Sequence, residues 1–310
     1  MEYAASSLIL IGVFVILATS FNLIIGFGGL MSIAHPIFFA LGAYTSGLAT
    51  IHLGLPIGLA MPLGALVALA ASILLSLPAL RVSGDYLVIA SIGVQLGVLQ
   101  IIKNLDWTGG PGGLVNIPPL FAGVGRVPAF AYAAIVLASA LAAILLVRLI
   151  VGGDYGRAIT AMRDDEEAFK ALGRNAVSMK IVLFAIGSGL AGYAGGLYAH
   201  YFLYVTPEQF EILYSSAMLT MVVVGGLGTI WGPALGAVLL EALPQAVKFL
   251  DFPSSVMAPL QGILFTGLVL FFLFARPEGL VGVRRELHRP QADEEGDEVG
   301  AADGAGATAR

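Results

Sequence analysis

The side chains able to do chemistry are few, and most sit within or beside long apolar runs. There an ionisable group is costly and marks a functional position by default. Asp85 opens one such run four residues after Arg81. That spacing puts both on one helix face, first as an interfacial ion pair and second with Asp85 on a polar path. His35 precedes Pro36 at the head of another run, where it either faces such a path or caps the helix locally. Asn22 falls inside the first run and needs a hydrogen-bond partner, supplied by the path or by a helix contact. His200, in Tyr198-Ala199-His200-Tyr201, has the setting of an aromatic interfacial belt. Glu241, near Pro244, and Lys248 come late in a run and are expected at the outer headgroups.

None of these groups completes a catalytic constellation. A phosphate-binding P-loop needs Gly-Lys-Ser/Thr, and none of the four lysines follows a glycine. No HExxH occurs, and cysteine is absent, which removes disulfides, thiolate metal sites and thiol nucleophiles. The chain is expected to bind no cofactor or metal and to be no enzyme.

A second kind of signal is a sequence echo. Gly28-Gly29-Leu30-Met31-Ser32-Ile33-Ala34-His35-Pro36 and Gly225-Gly226-Leu227-Gly228-Thr229-Ile230-Trp231-Gly232-Pro233 share the pattern GGLxxIxxP. Each copy precedes an apolar run, and each carries a hydroxyl, Ser32 or Thr229, beside flexible backbone. Glycine-interrupted helices in corresponding positions are a pointer to a translocation path. Asn22, Gly28, Gly29, Ser32, His35, Asp85, Gly225, Gly226 and Thr229 are therefore the path candidates. Chance repetition of abundant residue types is the competing reading.

The elements that must position these residues follow from composition. Of 310 residues, 58% are hydrophobic and 11% charged, with a mean hydropathy of +0.92. Soluble domains carry about 25% charged residues. A soluble enzyme, a disordered chain and a nucleic-acid binder are all excluded, and an all-α bundle in lipid remains. About 20 apolar residues cross a membrane. That template gives spans near 5–25, 33–53, 57–80, 85–103, 128–151, 178–203, 212–224, 231–250 and 258–275, eight to ten in all, some broken. The small residues at 187–196 clear one side of a helix at Gly189, Gly192 and Gly196 for close packing.

Placing residues 152–177 in the cytoplasm puts twelve of the fifteen lysines and arginines on that side, leaving Lys103, Arg126 and Lys248 outside. The amino terminus is then outside, the tail inside, and the turn-rich 104–127 loop external. That loop is too glycine-rich for a helix and reads as a gate, a docking surface or a connector. The first run follows no basic region and reads as a retained span rather than a cleaved signal. The net charge of −5 belongs entirely to residues 291–310. Residues 1–282 form the membrane domain, and the acidic 283–310 tail lacks the apolar side chains to order itself.

Residues 154–174 (DYGRAITAMRDDEEAFKALGR) are the longest soluble stretch. They read as one amphipathic helix with Asp154 as N-cap and Gly173 as stop. Its acidic middle disfavours lipid and favours a protein partner.

Glu167-Ala168-Phe169-Lys170-Ala171-Leu172-Gly173 resembles the EAAxxxG coupling signature of ABC-importer permeases, departing at Phe169. Residues 22–44, 81–86 (RVSGDY), 108–118 (TGGPGGLVNIP), 155–236 and 276–280 (RPEGL) resemble the LivM-like permeases of branched-chain amino acid importers. The resemblance spans about residues 10–282. It implies an inner-membrane permease subunit paired with a homologous permease, with two cytoplasmic ATPase subunits carrying ATP-Mg and with an external binding protein. It also implies ATPase contact through Arg163, Glu167, Ala168, Phe169, Leu172 and Gly173. The substrate so implied is a branched-chain amino acid, with urea or a short amide as the alternative. An ion-coupled secondary transporter would require mid-span carboxylates, and apart from the boundary residue Asp85 and the late Glu241 there are none.

Overall fold

The computed structural model describes residues 2–79, 85–120, 129–248, 254–275 and 279–282. These build an all-α bundle, and the only β pairing among the described residues is an isolated antiparallel bridge between Leu114 and Val205. The helices are α1 (Glu2–Asn22), α2 (His35–His52), α3 (Ile57–Ala79), α4 (Asp85–Asn104), α5 (Ala129–Gly152), α6 (Asp154–Asp164), α7 (Glu166–Ala171), α8 (Ala176–Phe202), α9 (Ile212–Gly225), α10 (Gly232–Lys248) and α11 (Ser254–Ala275). The nine expected spans correspond one for one with α1 to α5 and α8 to α11. Among the described residues, five segments are long and apolar enough to cross a membrane by length and composition: Ala4–Phe27, Ile57–Leu74, Tyr86–Asn104, Ala129–Gly152 and Ala176–Phe202. Arg81 and residues 283–310 lie outside the described residues, as does the side chain of Asp85.

α1 is the buried centre, with Ile9, Val13, Ile16 and Leu17 fully enclosed; α5, α8, α9 and α10 pack around it. α2, α3 and α8 form the tightest group, because the expected small residues let backbones meet. A Cβ on Gly192 would press on Ala68 and Gly64 of α3, one on Gly196 on Met61, and one on Gly195 on the Phe39 carbonyl of α2. Gly189 faces Leu69 of α3 with room to spare. The outer faces of α3, α4 and α5 show Leu59, Leu66, Ile89, Leu96, Leu137 and Leu141. An apolar surface this extensive suits lipid rather than water.

The two ends of the bundle differ. One end holds the 105–120 loop, which forms two short 3-10 turns, Asp106–Thr108 and Gly110–Gly112. Leu114 exchanges both backbone hydrogen bonds with Val205 (2.8 and 2.9 Å), and the Ile117 N–H donates to the Leu203 carbonyl. His200 is buried beneath this loop, not spread in a belt. Its Nδ1 donates to the Pro118 carbonyl (2.8 Å), and its Nε2 accepts from the Ser46 hydroxyl (2.8 Å). The loop is thus fastened to α2 and α8. The other end carries α6, α7 and both glycine-rich breaks.

Candidate functional site

The first break begins where α1 widens into a π turn, Leu23–Phe27. Gly28 and Gly29 then turn the chain, with amide bonds back to Leu23 and Ile25. Gly29 has φ +68°, a conformation that favours glycine, and the Arg163 side chain lies where its Cβ would be. The second break ends α9 at Gly225 and reverses through Gly226 (φ +120°) and Gly228 (φ +71°) into α10. A Cβ on Gly225 would strike the Gly232 carbonyl.

Asn22 joins the two breaks. Its amide nitrogen donates to the Thr229 carbonyl (2.8 Å), and its amide oxygen accepts the Gly228 N–H (2.9 Å). Of the two roles open to it, helix contact and path, the geometry supplies the contact. Arg163, at the end of α6, donates from Nη1 to the Gly26 carbonyl (2.8 Å) and pairs with Asp164 (3.2 Å). A hydrogen bond from a charged donor contributes about 1.5–3 kcal/mol. One soluble helix, one π turn and both echoed loops therefore meet at a single junction. Leu280 and Val281 close its far side with backbone bonds to Val224 (2.8 Å) and Gly225 (3.1 Å).

The soluble stretch is two helices rather than the one expected. Asp165 adopts an extended φ of −151° and caps α7, its carboxylate accepting the Ala168 N–H at 2.9 Å. Asp154 stands in the first turn of α6 behind Gly153, the actual cap, and pairs with Arg157. Asp165-Glu166-Glu167 carries the missed signal, since a capping Asp followed by acidic first-turn residues starts a helix. Gly173 ends α7 as expected. It has φ +76°, and the Gly173 and Arg174 amides return to the Lys170 and Phe169 carbonyls.

The apolar side of this pair packs on its own bundle. Ile159, Met162 and Phe169 are buried with Leu23, Ile24, Phe27, Leu30 and Leu183. Phe169 thus faces inward and is removed from the expected partner surface. Burying a side chain of that size stabilises by about 2 kcal/mol. A half-buried ion pair adds a second anchor, the buried Lys180 of α8 reaching the partly exposed Glu166 at 2.7 Å. Burial pushes the Glu166 carboxyl up, but hydrogen bonds from Lys180 and Lys170 outweigh it and leave it below the ordinary carboxylate range. Glu167, Ala168, Ala171, Leu172 and Gly173 remain exposed, Leu172 to 80%.

The hydroxyls of the echo are tied to their own loops. Thr229 donates to the Gly226 carbonyl (2.7 Å), and Ser32 accepts the Ala34 N–H (3.4 Å). His35 does begin α2, stacked on Phe21 at 4.7 Å. Since the Ser20 hydroxyl donates to Leu17, the ring Nε2 must donate to Ser20 (2.9 Å). Among the described residues, His35 Nδ1, Thr19 Oγ1 and Ser188 Oγ are buried without a partner. Two residues of α4 were overlooked. Ser91 accepts the Ile33 N–H at 2.9 Å beside the first break, and Gln95 bonds the Phe210 carbonyl (3.1 Å) and Ser215 (3.0 Å). Their four-residue spacing on an otherwise apolar helix was the available sign.

Fold and site together define a polytopic helical membrane protein whose soluble helices are fastened to a pair of broken spans. The chain belongs to the family described as branched-chain amino acid transport system / permease component, whose model matches residues 3–273. It is 32% identical to the high-affinity branched-chain amino acid transport system permease protein LivM of Salmonella typhimurium, across 88% of this chain and 68% of that protein. The Escherichia coli LivM is 31% identical over the same shares. An autoinducer 2 import system permease protein, LsrC of Salmonella paratyphi B, is 26% identical across 73% of this chain and 68% of its own. No solved structure matches the chain.

Proposed function

We propose that the chain is the permease subunit of an ATP-driven importer for branched-chain amino acids. It pairs with a homologous permease, receives substrate from an external binding protein, and is driven by two cytoplasmic ATPase subunits that hold ATP-Mg. The amino terminus lies outside and the tail inside, which keeps the basic side chains in the cytoplasm. The observation that carries the mechanism is the pair of contacts at the junction, Arg163 to Gly26 and Asn22 to Gly228 and Thr229. An ATPase bearing on Glu167, Ala168, Leu172 and Gly173 displaces α7, and α6 follows. Arg163 passes that displacement to the π turn, and Asn22 passes it to the second break. The lack of a phosphate-binding motif in the sequence fits a subunit whose energy comes from a partner.

The complex is tested in proteoliposomes with its co-expressed partners, following leucine uptake and ATP hydrolysis. Wild type should take up leucine only with ATP and loaded binding protein. Arg163→Met should lower uptake about tenfold while the ATPase still associates, because about 1.5 kcal/mol of linkage is lost. Uptake by the isolated chain down a gradient, or full uptake by Arg163→Met, overturns the mechanism. Orientation is read from single cysteines at Gly112 and Gly300 in this cysteine-free chain. Labelling of both from outside intact cells overturns it.

A further inference from the structure

α9 and α10 form a close antiparallel hairpin. The approaches of Gly225 to Gly232 and of Gly236 to the Met221 carbonyl fix its register. That register sets Glu241 level with Ser216 and within a turn of Tyr214. Glu241 lies nine residues beyond Gly232, where α10 begins. At 1.5 Å per residue this is about 13 Å along the helix, near the middle of a hydrocarbon core about 30 Å thick. Glu241, expected late in its span, thus falls near the middle of α10. Among the described residues no other acidic side chain stands so deep, since Asp85 heads α4 and Glu211 precedes α9.

The surroundings are polar and open. Glu241 stands near Tyr198 of α8 and Tyr214 of α9, and Tyr204 stands near the same two. Tyr204 is 45% exposed and Tyr214 37%. Ser216 is exposed, its hydroxyl donating to the Ile212 carbonyl (3.3 Å). The faces of α3, α4 and α5 described above are mainly aliphatic, with Tyr86 and Phe130 also exposed. A carboxylate on lipid at mid-depth costs about 2.5 kcal/mol or more. A face that combines a carboxylate, two phenols and a hydroxyl at that depth belongs to a water-filled or protein-lined passage.

We propose that Glu241, flanked by Tyr204 and Tyr214, is the point in the passage that receives the ammonium group of the substrate. This rests on the importer reading above. An ammonium entering the membrane loses hydration and needs opposite charge within reach; the carboxylate supplies it, and phenol faces add attraction for a cation. Partial exposure keeps the contact weak enough for release, which conduction through a passage requires. Ile212 and Leu213, exposed beside Tyr214, offer apolar surface to an aliphatic side chain.

Two measurements on the assembled importer test this. Glu241→Gln should lower leucine uptake at least tenfold with assembly intact, and Glu241→Asp should restore part of it. In a second series, Ser216→Cys is treated with a cationic and an anionic methanethiosulfonate. The cationic reagent should react several-fold faster relative to a free thiol in solution, and adding Glu241→Gln should abolish that preference. Wild-type uptake by Glu241→Gln, equal rates for the two reagents, or no reaction with either overturns the proposal. If wild type carries no amino acid at all, the importer reading fails instead, and a charge preference at Ser216→Cys still marks a wet, negatively charged passage.

Discussion

The two echoed loops share nine-residue motifs and the same end of the bundle, yet they are built differently. In the first, the bend starts with the π turn that follows α1, and the loop is held from outside by Arg163 and Ser91. In the second, the bend is made by glycine alone, with Gly225, Gly232 and Gly236 letting two helices close on each other. The first copy is thus held by side chains that can let go, and the second by backbone contact that cannot. In the proposed mechanism the first is the part that moves, and Asn22 is the contact through which the second would feel it.

The largest expected effect comes from the second copy. Gly225→Ala drives a methyl into the Gly232 carbonyl, a backbone atom with nowhere to go. The complex should fail to accumulate in the membrane. Gly29→Ala meets only the flexible Arg163 stem and a positive φ, so it should assemble with a loss of about 1 kcal/mol and impaired uptake. Equal accumulation of both variants on a membrane blot would erase the distinction between the copies.

A smaller effect lies in the anchor behind the first copy. Glu166→Gln leaves Lys180 buried without its carboxylate and should cost about 3 kcal/mol. Because the folded carboxyl sits below its ordinary value, its contribution is present above the ordinary carboxylate range and is lost as pH falls through the folded value. The gap in thermal unfolding midpoint between wild type and variant should therefore be full at neutral pH and narrow steadily below about pH 4. A gap independent of pH would show that packing, not charge, holds α7.

The smallest effects separate the two hydroxyls. Thr229→Ala removes a 2.7 Å bond to Gly226 and should cost about 1 kcal/mol. Ser32→Ala removes a 3.4 Å one and should cost less than half of that. If Ser32→Ala abolishes uptake while Thr229→Ala does not, Ser32 touches substrate instead of merely shaping its loop.

The sequence by itself determined the long apolar helices, because a bilayer demands some 20 apolar residues for each crossing and tolerates few charges within them. It also located both breaks, the glycine packing side of α8 and the Gly173 stop, since glycine's backbone freedom and missing Cβ are local properties. Other features depended on contacts between residues far apart in the chain. Asn22 was legible as buried and needing a partner, but its partners lie more than 200 residues away. Arg163 was implied as an ATPase contact by resemblance alone, and only tertiary packing set it against a carbonyl of the π turn. Phe169 had the spacing of an apolar stripe, but a stripe does not say which surface covers it, and here the chain's own α8 and π turn do. The level of Glu241 against α9 was decided in the same way. Position along a run fixes distance from the run's ends, whereas the neighbour that stands opposite depends on the glycine contacts that set the register of α9 and α10.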